Sequence, residues 1–280
     1  MKPALDIRTQ LIDVGNSDDE AIDLAKTALV LASADRPGIS IDPYLRHIDQ
    51  LTADVHEYSN NFTNSNEILD IRIEALVQVI VRRYGYGGSE LVFSDLEAAN
   101  LMRVIDSRSG LPVAIGILFI SVARAQKWEI TGIDFPGRFL LRLDAEGVRK
   151  IIDPFAGGNV IEAYDMRAMF KAFVGNEVEL APEHYRDMGN RDILSRLQGN
   201  IKSRLIQTER WKEALEIIEN MLLFQPNQID LWHEAGLLYA RNDRVVDAIH
   251  AFEEFLSRTT TEEKRYKISI LLQELRTRLN

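Results

Sequence analysis

Residues 113–126, VAIGILFISVARAQ, make a helix-length run with almost no polar face. A helix that is apolar all round must be buried on every side, so the rest of the chain has to wrap it. Gly110-Leu111-Pro112 turns the chain into this helix. Beyond it, residues 130–135 and 139–143 are rich in β-branched and aromatic side chains and read as strands joined by the Pro136-Gly137 turn. Gly147 marks the next hairpin, and residues 149–152 form a third strand. A buried helix followed by an antiparallel meander predicts an α+β core.

The segment upstream is helical. Residues 1–16 have weak periodicity and predict an extended or partly ordered lead-in. Ser17-Asp18-Asp19-Glu20 reads as a capping box, with Ile22, Ala25, Leu29 and Ala32 following at helical spacing until Asp35-Arg36-Pro37-Gly38 ends the helix. A second helix is predicted over 43–58, with Tyr44, Ile48, Leu51 and Val55 on one face. A third over 68–84 carries Leu69, Ile73, Leu76, Val77 and Ile80 and is broken by Gly85-Tyr86-Gly87-Gly88. A fourth over 95–107 turns Leu96, Leu101, Val104 and Ile105 inward.

After about residue 195 the pattern is helical only, and an internal repeat appears. Trp232, Gly236, Tyr239, Ala248 and Phe252 hold the spacing of a ~34-residue tetratricopeptide unit. The same shift sets Ala214 under Ala248 and Ile218 under Phe252, and Pro226 falls at the end of the first unit. Gly236 and Ala248 are expected where the two helices of a unit cross closely. Trp232 and Tyr239 could line a peptide groove, although at such positions they are usually packing residues. A last helix over 262–279 would cap the stack. The expected division is a core with N-terminal helices over 1–190 and a helical repeat domain over 191–280.

Composition excludes more than it proposes. With 280 residues and 46% hydrophobic content the chain can bury a sizeable core and is expected to form two domains. It has no cysteine, hence no disulfide, zinc–thiolate site or thiol nucleophile. The formal net charge of −10 disfavours nucleic-acid binding, which needs a basic face. The apolar run 111–123 is too short to span a bilayer, and no basic segment followed by an apolar one opens the chain. A bacterial cytosol is the expected compartment. No metal or cofactor is expected, since no histidines stand in ligand spacing.

The order buried helix, strand, strand is also how a cysteine–histidine–aspartate hydrolase presents nucleophile, base and orienting acid. The thiol sits at the helix N-terminus, the imidazole on the next strand and the carboxylate on the one after. In this chain three motifs fall in that order: Arg108, Gly110 and Pro112 before the apolar helix; Phe135, Pro136, Gly137, Phe139, Leu140 and Arg142; then Ile152, Asp153, Pro154, Phe155, Gly157 and Gly158. With the repeats behind them they resemble the bacterial transglutaminase-like family with C-terminal tetratricopeptide repeats (SirB-like proteins), over roughly residues 15–270. The resemblance implies a papain/transglutaminase-like core followed by an all-α tail. It also implies a catalytic triad, and here the residues depart from it. The nucleophile position falls at about Ala114, and Arg138 stands where the family pattern has histidine; Asp153 alone remains.

An alanine cannot attack a carbonyl, and a guanidinium does not give up its proton at neutral pH. His47 and His56 fall in the N-terminal helices, His184 in the connector, and His233 and His250 in the repeats. Ser109 or Ser121 could substitute as nucleophile only beside a base. Asp153 has three readings: a retained acid, a carboxylate bonding the amides of its own turn, or the partner of Arg138. Gly137 and Gly157-Gly158 could cradle an anion or simply serve turns, and Arg138, Arg142 and Arg149 could form an anion patch or be solvated. The preferred reading is a catalytically degenerate, non-enzymatic protein that binds or regulates a protein partner. The alternative is a hydrolase or amide-modifying enzyme with displaced chemistry.

Overall fold

The computed structural model describes residues 5–62 and 68–279. It divides into two compact units, one of Asp18–Leu197 and one of Met1–Ser17 with Gln198–Asn280. The division falls seven residues later than the sequence suggests, inside a helix, and the N-terminal segment groups with the C-terminal unit. That segment is no extended lead-in. It forms helix α1 (Leu5–Asn16), and residues 1–4 lie outside the described part. Leu11 is fully buried, and a Cβ on Gly15 would overlap the carbonyl of Leu223. The approach at Gly15 is to backbone, and such a contact leaves little trace in hydrophobic periodicity.

In the larger unit, α2 (Leu24–Ala34) starts later than its expected capping box. Ser17 donates its hydroxyl back to the Asp13 carbonyl, and Asp23 is the cap, accepting from the Lys26 amide at 3.0 Å. Helix α3 (Asp42–Asn60) buries Tyr44, Ile48, Leu51 and Val55 as its spacing predicts. The next predicted helix is α4 (Ile68–Leu76), continued by a π-helical stretch over Val77–Arg83. The fourth is shorter than expected. Two 3₁₀ turns precede α5 (Leu101–Ser107), whose Asn100 cap accepts from Arg103.

Helix α6 (Pro112–Ala125) is the apolar run, and ten of its residues are buried. Against it lies a five-stranded antiparallel sheet in the order β4-β3-β2-β1-β5. The meander is β1 (Glu129–Phe135), β2 (Arg138–Ala145) and β3 (Val148–Asp153), extended by β4 (Asn159–Ile161) and β5 (Arg186–Met188). Phe139 and Leu141 face α6, while Ile133, Phe135 and Leu140 pack with Met166 and Phe170 of α7 (Ala163–Val174). Covered on both faces, β2 reads as the run FLLRL rather than as strict alternation. Phe139 sits between two glycines: a Cβ on Gly116 of α6 would overlap its ring, and one on Gly132 of β1 would lie 2.9 Å from it.

Helix α8 (Asn190–Gln207) begins in this unit, and α9 (Trp211–Phe224), α10 (Ile229–Arg241), α11 (Val245–Arg258) and α12 (Glu262–Leu279) complete the other. Helices α9 and α11 start 34 residues apart, which is the repeat. Ala214, Ala248 and Phe252 are fully buried, and a Cβ on Gly236 would overlap the Phe252 ring, so the small residues do mark the close crossings. Trp232 is half-buried and donates its ring N–H to the Pro226 carbonyl at 2.8 Å. Tyr239 is likewise half-buried and donates to Glu219, with Arg244 over its ring. Both serve packing within the repeats. Leu272 and Leu275 of α12 cover Phe252 and Phe255.

Gly116→Ala gains helix propensity of up to about 1 kcal/mol but drives a methyl into a ring pinned from its other side, which costs about 1–3 kcal/mol. Gly199 in α8 has open space where its Cβ would go. Urea unfolding is expected to show a lower midpoint for Gly116→Ala and a raised one for Gly199→Ala. A stabilised Gly116→Ala would mean that Phe139 is free to move aside.

Candidate functional site

Strand β3 ends at Asp153, only 2% exposed. Its Oδ1 accepts the amides of Phe155 and Ala156 at 2.9 and 3.1 Å, and its backbone carbonyl accepts Gly158 at 2.8 Å. Its Oδ2 accepts from Nη1 of Arg138, at the start of β2, at 2.7 Å. Two of the three readings of this carboxylate therefore hold together: it caps its own turn, and it pairs with Arg138. The guanidinium is 45% exposed and its partner is buried, so the charge that water cannot reach is the one held by three donors.

The residues around this pair are turn and packing residues. Gly137, Gly157 and Gly158 all have positive φ, which a residue with a side chain adopts at a cost. A Cβ on Gly158 would come within 2.5 Å of Val77, and one on Gly137 within 2.5 Å of the Phe173 ring. Gly137 and Gly158 lie tightly against side chains, as a turn at a packed surface requires. Phe155 packs on Phe93 and fills the space beside Gly88. The arginines do not form a free anion patch: Arg142 pairs with Asp144 and Asp187, and Arg149 with Asp144. Burial opposes the Asp144 charge, but the bonds from Arg149 and Arg142 outweigh it and lower its pKa.

Ala114 is the third residue of α6 and is fully buried, as are Val113 and Ile115 beside it. A shift of up to two residues in register still finds no accessible side chain except the half-buried Pro112. Ser121 has its hydroxyl buried without a hydrogen-bond partner among the described residues. Ser109 lines a hollow of about 300 Å³ with Asp95, Arg103 and Asp106. The histidines bond elsewhere: His56 to Gln126 and Asn60, His184 to the Ala181 amide. No group of three or more His, Asp or Glu among the described residues is placed to hold a metal. No described helix is long and apolar enough to cross a membrane.

The Arg108-x-Gly110-x-Pro112 motif has a partner that sequence reasoning missed. Arg108 caps α5 in the left-handed conformation (φ 61°), and a Cβ on Gly110 would meet Val104 at 2.6 Å. Its carbonyl accepts the Gly87 amide, and its guanidinium stacks on Tyr86 at 4.8 Å. The guanidinium also contacts the Tyr86 hydroxyl and lies 2.6 Å from Nε2 of His47; that nitrogen is 2.8 Å from the same hydroxyl. An arginine can only donate, so His47 Nε2 accepts and the ring is neutral. Tyr84 donates to Asp54 at 2.8 Å beside Arg83. The π-helical stretch and Gly85 bring both tyrosines to α3, and the only sequence signal was the aromatic–glycine alternation at 84–88.

Burial and then the Arg108 charge hold the His47 pKa below its ordinary value, and burial pushes the Tyr86 phenol up to about 12. Unfolding frees His47 to bind a proton that the native state refuses. Stability from this cluster is therefore complete above the ordinary histidine value, about 6.5, and falls as pH drops below it towards the native value. Thermal unfolding of the larger unit is expected to lose midpoint between pH 7.5 and 5.5. His47→Gln should flatten that loss at some cost in stability at pH 7.5. An unchanged pH dependence would show that His47 does not stay neutral in the folded state.

Comparison with known proteins follows the same division. Residues 42–199 match the family profile described as transglutaminase-like superfamily, and 201–273 match a tetratricopeptide repeat. The chain is 28% identical over 237 residues to a UPF0162 protein of Xylella fastidiosa strain 9a5c, covering 81% of this chain and 83% of that one. It is 25% identical over 252 residues to a UPF0162 protein of Vibrio cholerae, covering 88% and 90%. To protein SirB1 of Salmonella typhimurium it is 25% identical over 173 residues, covering 61% and 64%. No solved structure matches the chain.

Proposed function

The chain belongs to the transglutaminase-like superfamily, and we propose that it is a member that binds a protein partner rather than performing acyl transfer. The observation that carries this reading is the Arg138–Asp153 pair. In a cysteine–histidine–aspartate triad the carboxylate orients an imidazole that moves a proton. Here the corresponding carboxylate is held by a guanidinium and two backbone amides. None of those donors gives up a proton at neutral pH. Ala114, at about the position expected of the nucleophile, offers a methyl group sealed from water. The framework residues of the three motifs hold turns and close contacts that a core needs with or without chemistry.

The repeats supply the means of interaction. Stacked tetratricopeptide helices present an extended surface suited to peptides or helices of another protein. The alternative, a hydrolase or amide-modifying enzyme with displaced chemistry, needs a hydroxyl beside a base in an open cleft. Among the described residues Ser109 and Ser121 bond to no histidine, and Tyr86, whose hydroxyl lies 2.8 Å from His47, is buried.

The purified chain is expected to turn over p-nitrophenyl acetate and a model peptide amide no faster than its Asp153→Asn variant, and to transfer no amine to a glutamine-bearing peptide. Affinity purification from the native organism should return one reproducible protein partner. Turnover that falls on Asp153→Asn would overturn the reading. So would the absence of any partner.

A further inference from the structure

A cleft of about 790 Å³ opens in the larger unit at the C-terminal end of α6, within the ~300–1,000 Å³ range of ligand pockets. Arg124 of α6 lines it, with the start of β1, part of β2, and the segment leading into α8. Ala114 stands ten residues earlier in α6, so at 1.5 Å per residue this cleft is roughly 15 Å from the nucleophile position. It is a separate place from the Arg138–Asp153 pair.

Most charges in the cleft are already committed to one another. Arg142 is taken by Asp144 and Asp187. Both oxygens of Asp19 are taken by the amides of Asn190 and Arg191, at 2.7 and 2.9 Å, where Asp19 caps α8. Three charged groups are left over. Arg124 is half-buried; it donates to Asn190 Oδ1 at 2.7 Å and lies 3.5 Å from the Ile130 carbonyl, with no carboxylate in ion-pair range among the described residues. Glu20 and Glu129 are exposed at the cleft and have no side-chain partner among the described residues. A guanidinium has five donors in a rigid fork, so Arg124 keeps donors for a planar anion. Five carboxylates and two guanidiniums line the cleft, and with Arg149 on Asp144 and Arg191 on Asp19 beside it one negative charge is left in excess.

We propose that this cleft binds a zwitterionic ligand with surplus positive charge, the chemistry of a basic amino acid or of a short peptide ending in one. The ligand carboxylate takes the free side of the Arg124 fork. Its ammonium groups take Glu20 and Glu129, and Ile130 and Met188 give its alkyl stem apolar contact. A simple anion would satisfy Arg124 and be repelled by the carboxylates. A simple diamine would leave Arg124 unpaired and opposed to it.

Calorimetric titration of the full chain with three probes tests this: L-lysine, cadaverine (lysine without the carboxylate) and L-norleucine (lysine without the second cation). L-lysine is expected to bind saturably and about tenfold more tightly than either truncated probe. Arg124→Gln should weaken L-lysine about tenfold and leave cadaverine no weaker, since the cation that opposes it is gone, and Glu129→Gln should weaken both. Since Arg124 also braces Asn190, Arg124→Lys, which keeps the charge without the fork, and the exposed Glu20→Gln serve if Arg124→Gln does not fold. No saturable L-lysine binding up to roughly 10 mM overturns the proposal. Equal binding of cadaverine and L-lysine also overturns it, as an acidic surface only.

Discussion

Helix α6 buries ten of its fourteen residues, and the layers of the larger unit are placed by that requirement. The sheet closes one side of it, and the approach is close because Gly116 and Gly132 make room for the Phe139 ring. At Gly158, the turn after β3 reaches Phe119 of the same helix. Leu111, at the helix entrance, is tied by its amide to the Ala98 carbonyl. Burial of one large apolar side chain is worth about 1.5–3 kcal/mol, so a helix with this many supplies a large share of the core. Of the motif residues, Pro112 opens this helix and Phe139 and Gly158 pack on it.

The same packing fixes what the polar positions can do. Asp153 emerges where β3 leaves the core, almost out of reach of water, and a carboxylate there needs donors. Its turn supplies two amides and Arg138 supplies the cation. An imidazole in the place of Arg138 would satisfy the same carboxylate and keep a transferable proton; the guanidinium satisfies it and keeps none. Because Arg138 is nearly half exposed, the ion pair by itself contributes little, and the amide bonds to a buried acceptor matter more. The carboxylate thus has a structural role in its own turn and in the pair with Arg138.

What the sequence made legible was what repeats or alternates. The apolar run at 113–126, the meander and the 34-residue shift between α9 and α11 all stand as expected, as do the buried faces of α3 and α4. The failures share a cause. Asp19 looked like part of a local capping box, yet it caps α8, 171 residues away. Helix α1 makes its close contact through the backbone at Gly15, and the π-helical stretch at Val77–Arg83 keeps the hydrophobic spacing of an ordinary helix. The His47–Tyr86–Arg108 cluster joins three segments whose separations carry no motif. Contacts made by single polar atoms over long separations leave no period to read. For the same reason the pairing of Arg138 with Asp153 could be named beforehand only as one of three readings.

The claim that Asp153 serves the fold is tested most directly by a double-mutant cycle in equilibrium unfolding, with Arg138→Met, Asp153→Asn and both together. Loss of Asp153 leaves two buried amides facing a weaker acceptor and is expected to cost about 2–4 kcal/mol. Loss of Arg138 should cost about 1 kcal/mol, with a coupling between the two sites of about the same size. Asp153→Asn with wild-type stability and no coupling to Arg138 would contradict the account, because the carboxylate would then be kept for something other than the structure.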